Sequence, residues 1–513
     1  STTAADSQWN PDPAQNTAVT NLGGDEATPK IVTMANGDFY ITWFSNPAGE
    51  NYDVRMQKYN AVGTAQWEEN GRLISSNPSD TFITDYIFTK DADDNLILIF
   101  QDMRNGNKNI YAYKISPDGD FLWGDDGLQI TDNEGFTGPL PSSVSTTADV
   151  AFVCLHEPPR GATQLVMQKL TPDGDPVWGD SGLVPPGQEA SSFTQASITS
   201  GGNEQVIMVY GVQNEDAPQI MHIYMQKYDA DGHPIWNGDD GVQLHDSVPV
   251  SSPPQLVSDG SGGAYAAWHS TDLKSFVQHV NADGNLLMPA GGQPVTTSNP
   301  NLEIGPQPLY AADTDELFVF WADADSSQGM HGLSGQKMSP SGALLWDENG
   351  RSYIELSAAS LGMITPRLAD GGAIVFYGQA ESDDLADQSA GINAILVDNA
   401  GDPVWLEPTA LSSTPSSKQN LVVGTIGAQE WVAVWGDRNQ NDGGQDQEII
   451  MQNLALDSNV QLPNPASAFC VDQGGQSEIR TDDTGGQYGV CMFADGSECD
   501  EWAFFRGDCK PGG

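Results

Sequence analysis

Acidic residues recur at one position of this sequence, directly after a strand-like run that ends in an aromatic residue. Asp102, Glu157, Asp323 and Asp437 occupy this position, at the start of a variable polar loop. Carboxylates held close together repel one another, and a bound divalent cation relieves that repulsion. The simpler interpretation is that each acid accepts local hydrogen bonds from the turn that it begins. The sequence leaves both interpretations open.

The loop after Asp437 has a spacing similar to that of a calcium-binding loop. Asp437, Asn439 and Asn441 alternate along it, and Glu448 is the twelfth residue counted from Asp437. Calcium takes carboxylate and carbonyl oxygens at such spacings in EF-hand loops. The glycine of the loop comes one position late and the flanking segments have the pattern of strands. These four residues are a candidate Ca²⁺ site, and the sequence predicts no other cofactor.

A shorter version of the same pattern follows the aromatic run at residues 317–321. Asp323 and Asp325 alternate there, and a serine pair follows them. Two carboxylates at this spacing can contribute oxygen ligands to a divalent cation, although they do not complete a coordination shell. Asp323 and Asp325 are the second candidate metal site.

Motifs for nucleophilic, metal-dependent or phosphate chemistry are missing from the sequence. It contains no Gly-x-Ser-x-Gly, no His-Glu-x-x-His and no Gly-x-x-x-x-Gly-Lys, and its seven histidines are scattered. The turn of Asp118 and Gly119, with Trp123 four residues beyond the glycine, differs in register from the Asp box of sialidases. We therefore predict no catalytic residue.

These acids and loops occur at equivalent positions of a repeat of about 56 residues. Each unit has strand-like runs, a turn such as Asp-Gly or Ser-Gly, three further residues and usually a tryptophan. Four short runs with period-two alternation predict a four-stranded antiparallel sheet, and the lack of a sustained 3.6-residue period predicts almost no helix. Asp and Gly suit the turn geometry, and the tryptophan suits packing. The repeat tryptophans are Trp9, Trp67, Trp123, Trp178, Trp236, Trp346 and Trp405.

Four-stranded units at a fixed period predict an all-β fold, an eight-bladed β-propeller formed by residues 1–463. A stacked solenoid is the alternative architecture, and one misread unit would change the count to seven or nine blades. The segment Trp9-Asn10-Pro11-Asp12 is similar to Trp123-Gly124-Asp125-Asp126. We therefore expect residues 9–20 to complete the last blade, whose other strands lie near residues 418–456.

One repeat carries a family resemblance. The segment from Asp102 to Tyr111 (DMRNGNKNIY), with the turn Ser116-Pro117-Asp118-Gly119, resembles propeller repeats of secreted and surface bacterial proteins. It is also similar to the repeats of the Tol-associated periplasmic propeller. The resemblance extends over most of residues 20–460 and implies a propeller, with no particular activity.

Cysteines are concentrated at the C-terminal end of the chain. Cys470, Cys491, Cys499 and Cys509 lie there, whereas Cys154 ends an apolar run and is expected to be a buried, inert thiol. Four cysteines can stabilise a domain that is too small for a sufficient core, which predicts disulfides and an oxidising compartment. Zinc is the alternative, but no Cys-x-x-Cys pair occurs. Three disulfide pairings are possible.

The same C-terminal segment, residues 464–513, is predicted to be a separate small domain. It resembles the Cys-containing domain of unknown function found in bacterial proteins labelled putative haemolysins. The residues that carry this resemblance are Asn464-Pro465-Ala466-Ser467, Gly474-Gly475, Gly489-Val490-Cys491 and Glu501-Trp502-Ala503. The label does not establish membrane lysis, and no segment has the amphipathic pattern needed for membrane insertion. We interpret the domain as an attachment or assembly module.

The charge balance excludes two classes of partner. The 513 residues include 70 Asp and Glu against 20 Lys and Arg, a formal net charge of −50. Binding to nucleic acid or to anionic lipid requires a basic surface. Acidity of this size serves solubility in a salty medium or the collection of divalent cations. Ser1 is consistent with a mature terminus, and we expect an extracellular or cell-surface location.

Three functions are compatible with these observations. The first is a secreted or cell-surface, non-enzymatic interaction scaffold that presents variable loops to a protein or glycan, or to another copy of the chain. The alternative is a carbohydrate-active propeller that binds or cleaves glycans, which would need a suitable carboxylate pair. The third, a haemolysin-like toxin, depends on the family label alone.

Overall fold

The computed structural model describes most of the chain, with gaps mainly at the termini and in loops. The described residues are 9–47, 49, 51–77, 79, 85–146, 149–185, 192–381, 389–438, 446–456, 470, 473–481, 487–493, 495–505 and 509–511. Antiparallel strands make up nearly all of their regular structure. No helix in these ranges is long and apolar enough to cross a membrane.

The first four sheets follow one another along the chain. The first contains β2 (Asp25–Thr33), β3 (Phe39–Asn46), β4 (Asp53–Tyr59) and β5 (Arg72–Ser75), and the second contains β6 (Ile87–Lys90), β7 (Leu96–Asp102), β8 (Asn109–Ile115) and β9 (Leu128–Gln129). The third contains β10 (Phe136–Ser145), β11 (Val150–Glu157) and β12 (Gln164–Leu170). The fourth contains β13 (Phe193–Gly202), β14 (Gln205–Gln213), β15 (Ile220–Tyr228) and β16 (Val242–Pro249), with a 3₁₀ turn at Gly238–Asp240.

The remaining repeats continue this pattern. The fifth sheet contains β17 (Gln255–Ser258), β18 (Ala264–His269), β19 (Ser275–Val280) and β20 (Gln293–Pro294), and the sixth contains β21 (Leu302–Ala311), β22 (Glu316–Ala324), β23 (His331–Met338) and β24 (Arg351–Ser357). The seventh contains β25 (Ser360–Ala369), β26 (Gly372–Ala380), β27 (Ala390–Asp398) and the start of β28 (Thr409–Gly427). The eighth contains the rest of β28, β29 (Glu430–Arg438), β30 (Glu448–Ala455) and β1 (Thr17–Ala18).

Two sheets differ from the predicted four separate strands per unit. The third sheet has three strands, and Leu183 adds only an isolated bridge to Met167 in place of a fourth. The 19-residue strand β28 pairs first with β27 and then, from Ser417 onward, with β29. The seventh and eighth sheets therefore form one seven-stranded assembly, because no turn separates the outer strand of one from the inner strand of the other.

Apolar side chains fill the space between each sheet and the next. Tyr40 and Phe44 of the first sheet pack with Leu98 and Phe100 of the second, and comparable clusters follow between the later sheets. The inner strands contact one another in succession, in the order β2, β6, β10, β13, β17, β21, β25 and β28. Strand β28 also contacts β2, and a further cluster joins the eighth sheet to the first.

Several repeat tryptophans link neighbouring sheets by hydrogen bonds as well as by packing. Trp123 donates from Nε1 to the carbonyl of Pro172, 3.1 Å away in a turn of the third sheet. Lys114 donates to the same carbonyl at 2.9 Å. Trp236 likewise donates to the carbonyl of Ala282 in the fifth sheet at 3.0 Å. Each such bond contributes about 1 kcal/mol net, so the set joins consecutive sheets firmly.

The N-terminal segment lies beside the eighth sheet. Thr17 pairs with Met451 of β30, and Ala18 pairs with Ile450. The amide of Val19 adds a hydrogen bond of 2.8 Å to the carbonyl of Ile449. The first described strand therefore forms the edge of the last sheet, next to β30.

A glutamine contact shows which part of the repeat this segment corresponds to. In the sixth sheet, Gln336 donates from Nε2 to the carbonyl of Asp347, the residue after a repeat tryptophan, at 2.8 Å. In the eighth sheet, Gln452 donates to the carbonyl of Asn10, the residue after Trp9, also at 2.8 Å. The segment around Trp9 thus makes the contact that the fourth strand makes in other sheets.

The C-terminal residues form a small separate sheet with a short helix. It contains β31 (Gln476–Thr481), β32 (Gln487–Met492), β33 (Glu498–Asp500) and α1 (Glu501–Phe505). The disulfides are Cys470–Cys491 and Cys499–Cys509, with Cα separations of 5.6 and 5.9 Å. The predicted disulfides are therefore confirmed, and the structure selects one of the three pairings.

The thiol outside this module is buried, as the sequence predicted. Cys154 is 2 % exposed in β11 and unpaired. Burial raises its thiol pKa far above the ordinary value, so the nucleophilic thiolate does not form at neutral pH.

Candidate functional site

The strands of each sheet end on two opposite sides, which we call the loop edge and the hairpin edge. At the loop edge the second strand ends and the third begins, and at the hairpin edge tight turns join the first strand to the second and the third to the fourth. Neighbouring sheets meet at equivalent points of the loop edge, where Glu303 N donates to Leu273 O at 2.7 Å and Glu26 N donates to Gln447 O at 2.8 Å. The loop edges of consecutive sheets therefore lie side by side.

The first two predicted acids at the loop edge, Asp102 and Glu157, have different surroundings. Asp102 accepts a hydrogen bond of 2.9 Å from Nε of Arg104, whose guanidinium lies 3.8 Å from the ring centre of Tyr111. Glu157 is exposed at the end of β11. The Asp102 contact fits the interpretation in which an acid stabilises the loop that it begins. Among the described residues, none of the four predicted acids belongs to a group of three potential metal ligands.

The predicted calcium loop is described in part. Asp437 and Glu448 are paired across β29 and β30, and the Asp437 carboxylate accepts hydrogen bonds from Lys418 Nζ at 2.7 Å and Trp435 Nε1 at 2.9 Å. Asn439 and Asn441 lie outside the described residues. The Ca²⁺ site at these four residues stays a prediction.

The two residues of the second candidate metal site, Asp323 and Asp325, form hydrogen bonds in two different parts of the sixth sheet. Asp325 closes the turn after β22, accepting hydrogen bonds from the Ser327 hydroxyl at 2.6 Å and the Gly329 amide at 2.8 Å. The Ser327 hydroxyl and the turn amides lower the pKa of Asp325 to about 2. Asp323 is instead buried and accepts hydrogen bonds from Trp321 Nε1 at 3.0 Å and from the Ser334 hydroxyl. Asp325 therefore stabilises a turn, and Asp323 accepts hydrogen bonds inside the sheet.

A buried acid that sequence reasoning missed lies opposite Asp323. Glu303 of β21 is the register partner of Asp323 on β22, and their exposures are 1 % and 4 %. Glu303 accepts hydrogen bonds from Thr296 Oγ1 at 2.6 Å and Ser275 N at 3.1 Å, and Lys274 Nζ lies 3.7 Å away. Burial raises the pKa of both acids.

Like charges directly opposite on neighbouring strands are destabilising. A buried pair of acids with raised pKa values beside a cavity is therefore a candidate functional site. The signal available in the sequence was Glu303 itself, a charged residue at an inward position of the alternating run that forms β21.

A pocket of about 370 Å³ opens over Asp323 at the loop edge of the sixth sheet. One wall is the segment 299–301 before β21, and the other is β24. Ser298 anchors the first wall to the second through a 2.9 Å hydrogen bond from its amide to Asn349 Oδ1. The polar lining residues are Asn299, Asn301, Asp323, Ser334, Asn349, Ser352 and Glu355, and Pro300, Ile354 and Leu356 are the apolar ones.

A different group could bind a metal ion at the hairpin edge. Ligand atoms of Asp229, Asp231 and His233 lie within 4.8 Å of one another in a turn of the fourth sheet. Asp229 Oδ1 accepts hydrogen bonds from the backbone amides of Asp231, at 3.0 Å, and His233, at 2.8 Å. Asn281 Oδ1 accepts an equivalent hydrogen bond from a backbone amide in the corresponding turn of the fifth sheet. Turn formation accounts for this group.

Comparisons with known proteins give one family match, at the C-terminal end. Residues 461–508 match the family described as Domain of unknown function (DUF333), in agreement with the predicted small Cys-containing domain. None of the curated proteins matches the sequence.

Several solved structures match this chain at low sequence identity and with TM-scores below 0.5. A protein of unknown function from Dyadobacter fermentans is 10 % identical, with 86 % of this chain and 99 % of that chain covered and a TM-score of 0.37. A puromycin hydrolase is 11 % identical, with 83 % and 62 % covered and a TM-score of 0.41. An ulvan lyase of polysaccharide lyase family PL25 is 12 % identical, with 79 % and 97 % covered and a TM-score of 0.44.

Proposed function

We propose that the protein is an eight-bladed β-propeller that acts outside the cytoplasm as a non-enzymatic binding scaffold. The successive contacts of the eight inner strands, with β28 returning to β2, support a radial arrangement of the sheets. The pairing of β1 with β30 supports closure by the N-terminal segment. The two disulfides support an oxidising compartment, since such bonds persist there and not in the cytosol.

The observation that carries the proposal is that the loop edge and the hairpin edge have different structures. At the hairpin edge, tryptophan and lysine side chains such as Trp236 and Lys227 bind backbone carbonyls of the next sheet. The loop edge instead has connections that differ between units, together with the buried pair Glu303 and Asp323 and the pocket over it. A rigid framework with variable loops on one side is typical of proteins that bind through those loops.

Matched charge reversals test this assignment. We expect the labelled full chain to bind intact cells of the producing organism, and Glu215→Lys with Asp272→Lys at the loop edge to weaken that binding. The control is Asp231→Lys with Asp283→Lys at the hairpin edge of the same two sheets, which should bind like the wild type. Equivalent charge reversals at the loop edge, with controls at the hairpin edge, are then made in each further pair of neighbouring sheets. Equal losses at both edges for every pair would refute the assignment.

Two activity assays separate the remaining functions. Incubation with polysaccharides, followed by measurement of new reducing ends, detects a carbohydrate-active enzyme. Release of haemoglobin from erythrocytes detects a toxin. Turnover or lysis would contradict a non-enzymatic scaffold, whereas cell binding without either agrees with it.

The C-terminal module is proposed to attach the scaffold or to assemble copies of it. Its core is small and depends on Cys470, Cys491, Cys499 and Phe504. Size-exclusion chromatography with light scattering tests assembly, and the cell-binding assay tests attachment, each with and without a reductant. We expect the bound or assembled form to be lost on reduction.

A further inference from the structure

We infer that the pocket over Asp323 binds a neutral saccharide unit. This inference rests on the proposed function and names the ligand class for one sector of the loop edge. The pocket belongs to the sixth sheet, between the segment 299–301 and β24, and its volume of about 370 Å³ is within the range of small-molecule sites.

The floor of the pocket is a fixed acceptor. Asp323 Oδ1 accepts hydrogen bonds from Trp321 Nε1 at 3.0 Å and from Asn299 Nδ2 at 3.4 Å, and Oδ2 accepts one from Ser334. The acid is 4 % exposed and cannot swing away from these donors. A carboxylate oriented in this way is preorganised to accept a further hydrogen bond from a hydroxyl group.

The walls offer donors and acceptors in alternation. The carboxamides of Asn301 and Asn349 each have both kinds of group, and the hydroxyl of Ser352 can donate and accept. Ser298 occupies Oδ1 of Asn349, so the remaining hydrogen-bonding capacity of that side chain includes its two N–H donors. Neighbouring hydroxyls of a sugar ring also donate and accept, which makes this lining complementary to them.

The charges around the pocket disfavour an anionic ligand. Asp323 and Glu355 are the charged residues among its lining residues, and both are acidic. Lys274 lies behind the wall, where Nζ donates to the carbonyls of Asn299, at 2.8 Å, and Asn301 and lies 3.7 Å from Glu303. This lysine compensates part of the buried acidity, so the pocket does not present a concentrated negative charge to an ammonium group.

The apolar part of the lining completes the match. Pro300, Ile354 and Leu356 contribute hydrocarbon surface next to the polar groups. A pyranose or furanose ring has C–H faces and a rim of hydroxyls, so it can contact both kinds of surface at once. Purely apolar ligands would leave polar lining groups such as Asn301 and Ser352 without new partners in exchange for their lost hydration.

Saturation-transfer NMR with the full chain tests the inference. The probes are neutral hexoses, pentoses and deoxyhexoses as free monosaccharides, and neutral oligosaccharides in solution in a second arm. We expect at least one sugar to give a transfer signal, and Asn301→Ala with Ser352→Ala to weaken its binding about tenfold, the loss of roughly one good hydrogen bond. The control Asn285→Ala with Ser341→Ala, at the hairpin edge, should bind the sugar like the wild type.

Each outcome decides the inference. A signal from free monosaccharides alone assigns a soluble sugar, and a signal from the oligosaccharide arm assigns a glycan end. N-acetyl-lysine methylamide, which carries an ammonium group, is added as a cationic comparison probe. No signal from any neutral sugar, an unchanged affinity in the double variant, or a signal only from this cationic probe would overturn the inference. If cell binding through the loop edge persists without sugar binding, the proposed function stands and the saccharide site falls.

Discussion

Replacing Glu26 by glutamine should stabilise the protein at alkaline pH. Glu26 lies on β2, where its amide donates to Gln447 O beside β30, so it sits at the contact between the first and eighth sheets. Its side chain is 1 % exposed and accepts a 2.9 Å hydrogen bond from the Ser45 hydroxyl. Burial raises the pKa of Glu26 from 4.5 to about 7, against the lowering effect of the Ser45 and Trp43 side chains.

The size and sign of the effect follow from this pKa. Because the folded-state pKa of Glu26 is raised, its contribution to stability is fully present below pH 4.5 and is lost as the pH rises through about 7. The shift corresponds to about 3 kcal/mol once the carboxylate is fully ionised. Glutamine keeps the shape of the protonated acid and cannot ionise, so Glu26→Gln removes this penalty.

Thermal unfolding at acidic and alkaline pH measures the difference. We expect Glu26→Gln and the wild type to melt together near about pH 4, and the variant to melt about 3 °C higher near about pH 9. Glu355→Gln, at an exposed position of β24, is the control and should show no such pH-dependent difference. Identical melting of Glu26→Gln and the wild type at both pH values would refute the reasoning, and so would a lower melting temperature of the variant at alkaline pH.

Four further changes have defined outcomes. Trp236→Phe removes the hydrogen bond to Ala282 O and should lower the free energy of unfolding by about 1–2 kcal/mol, measured by denaturant titration. Asp259→Asn should cost about 2 kcal/mol at neutral pH: burial raises the pKa of Asp259, but hydrogen bonds outweigh it and lower the value to about 2. That stabilisation is present above pH 3.8 and is lost as the pH falls through about 2, so the two proteins should converge in acid melts. Replacing Cys470 and Cys491 by serine should destabilise the C-terminal module by about 3 kcal/mol, seen as faster proteolysis of that module alone. Adding Ca²⁺ after EDTA treatment should raise the melting temperature if the predicted calcium loop binds the ion, and an unchanged midpoint would remove that site.

The sheets could be predicted from the sequence because their signals are local. Turns such as Ser116-Pro117-Asp118-Gly119 and strand-like runs with period-two alternation occur within one unit, so each unit predicts its own strands. The similarity of the segments around Trp9 and Trp123 also indicated which strand the N-terminal segment would supply. A glutamine accepts a hydrogen bond from the tryptophan amide in four units, as Gln57 does from Trp67, and it was visible in the repeated pair Gln57-Lys58, but its role was not recognised.

The pocket could not be predicted because its residues come from separate strands. Glu303 faces Asp323 only through the register of β21 and β22, and Asn349 reaches the pocket through a contact with Ser298. No short spacing in the sequence encodes these pairings. The continuous strand β28 was missed for a related reason: the segment at 409–417 has a proline and several serines and threonines, which suggest a loop, yet cross-strand pairing on both sides extends it.

The continuity of β28 has a mechanical consequence. Since one uninterrupted strand is hydrogen-bonded to β27 at its start and to β29 at its end, a displacement of the seventh sheet pulls directly on the eighth. The eighth sheet also contains β1. A tension applied to the N-terminal end of the chain is therefore transmitted through the three pairings β1–β30, β30–β29 and β29–β28 into the seven-stranded assembly. Sliding between sheets must then occur elsewhere, at junctions where side-chain packing and single hydrogen bonds, and no shared strand, join one sheet to the next.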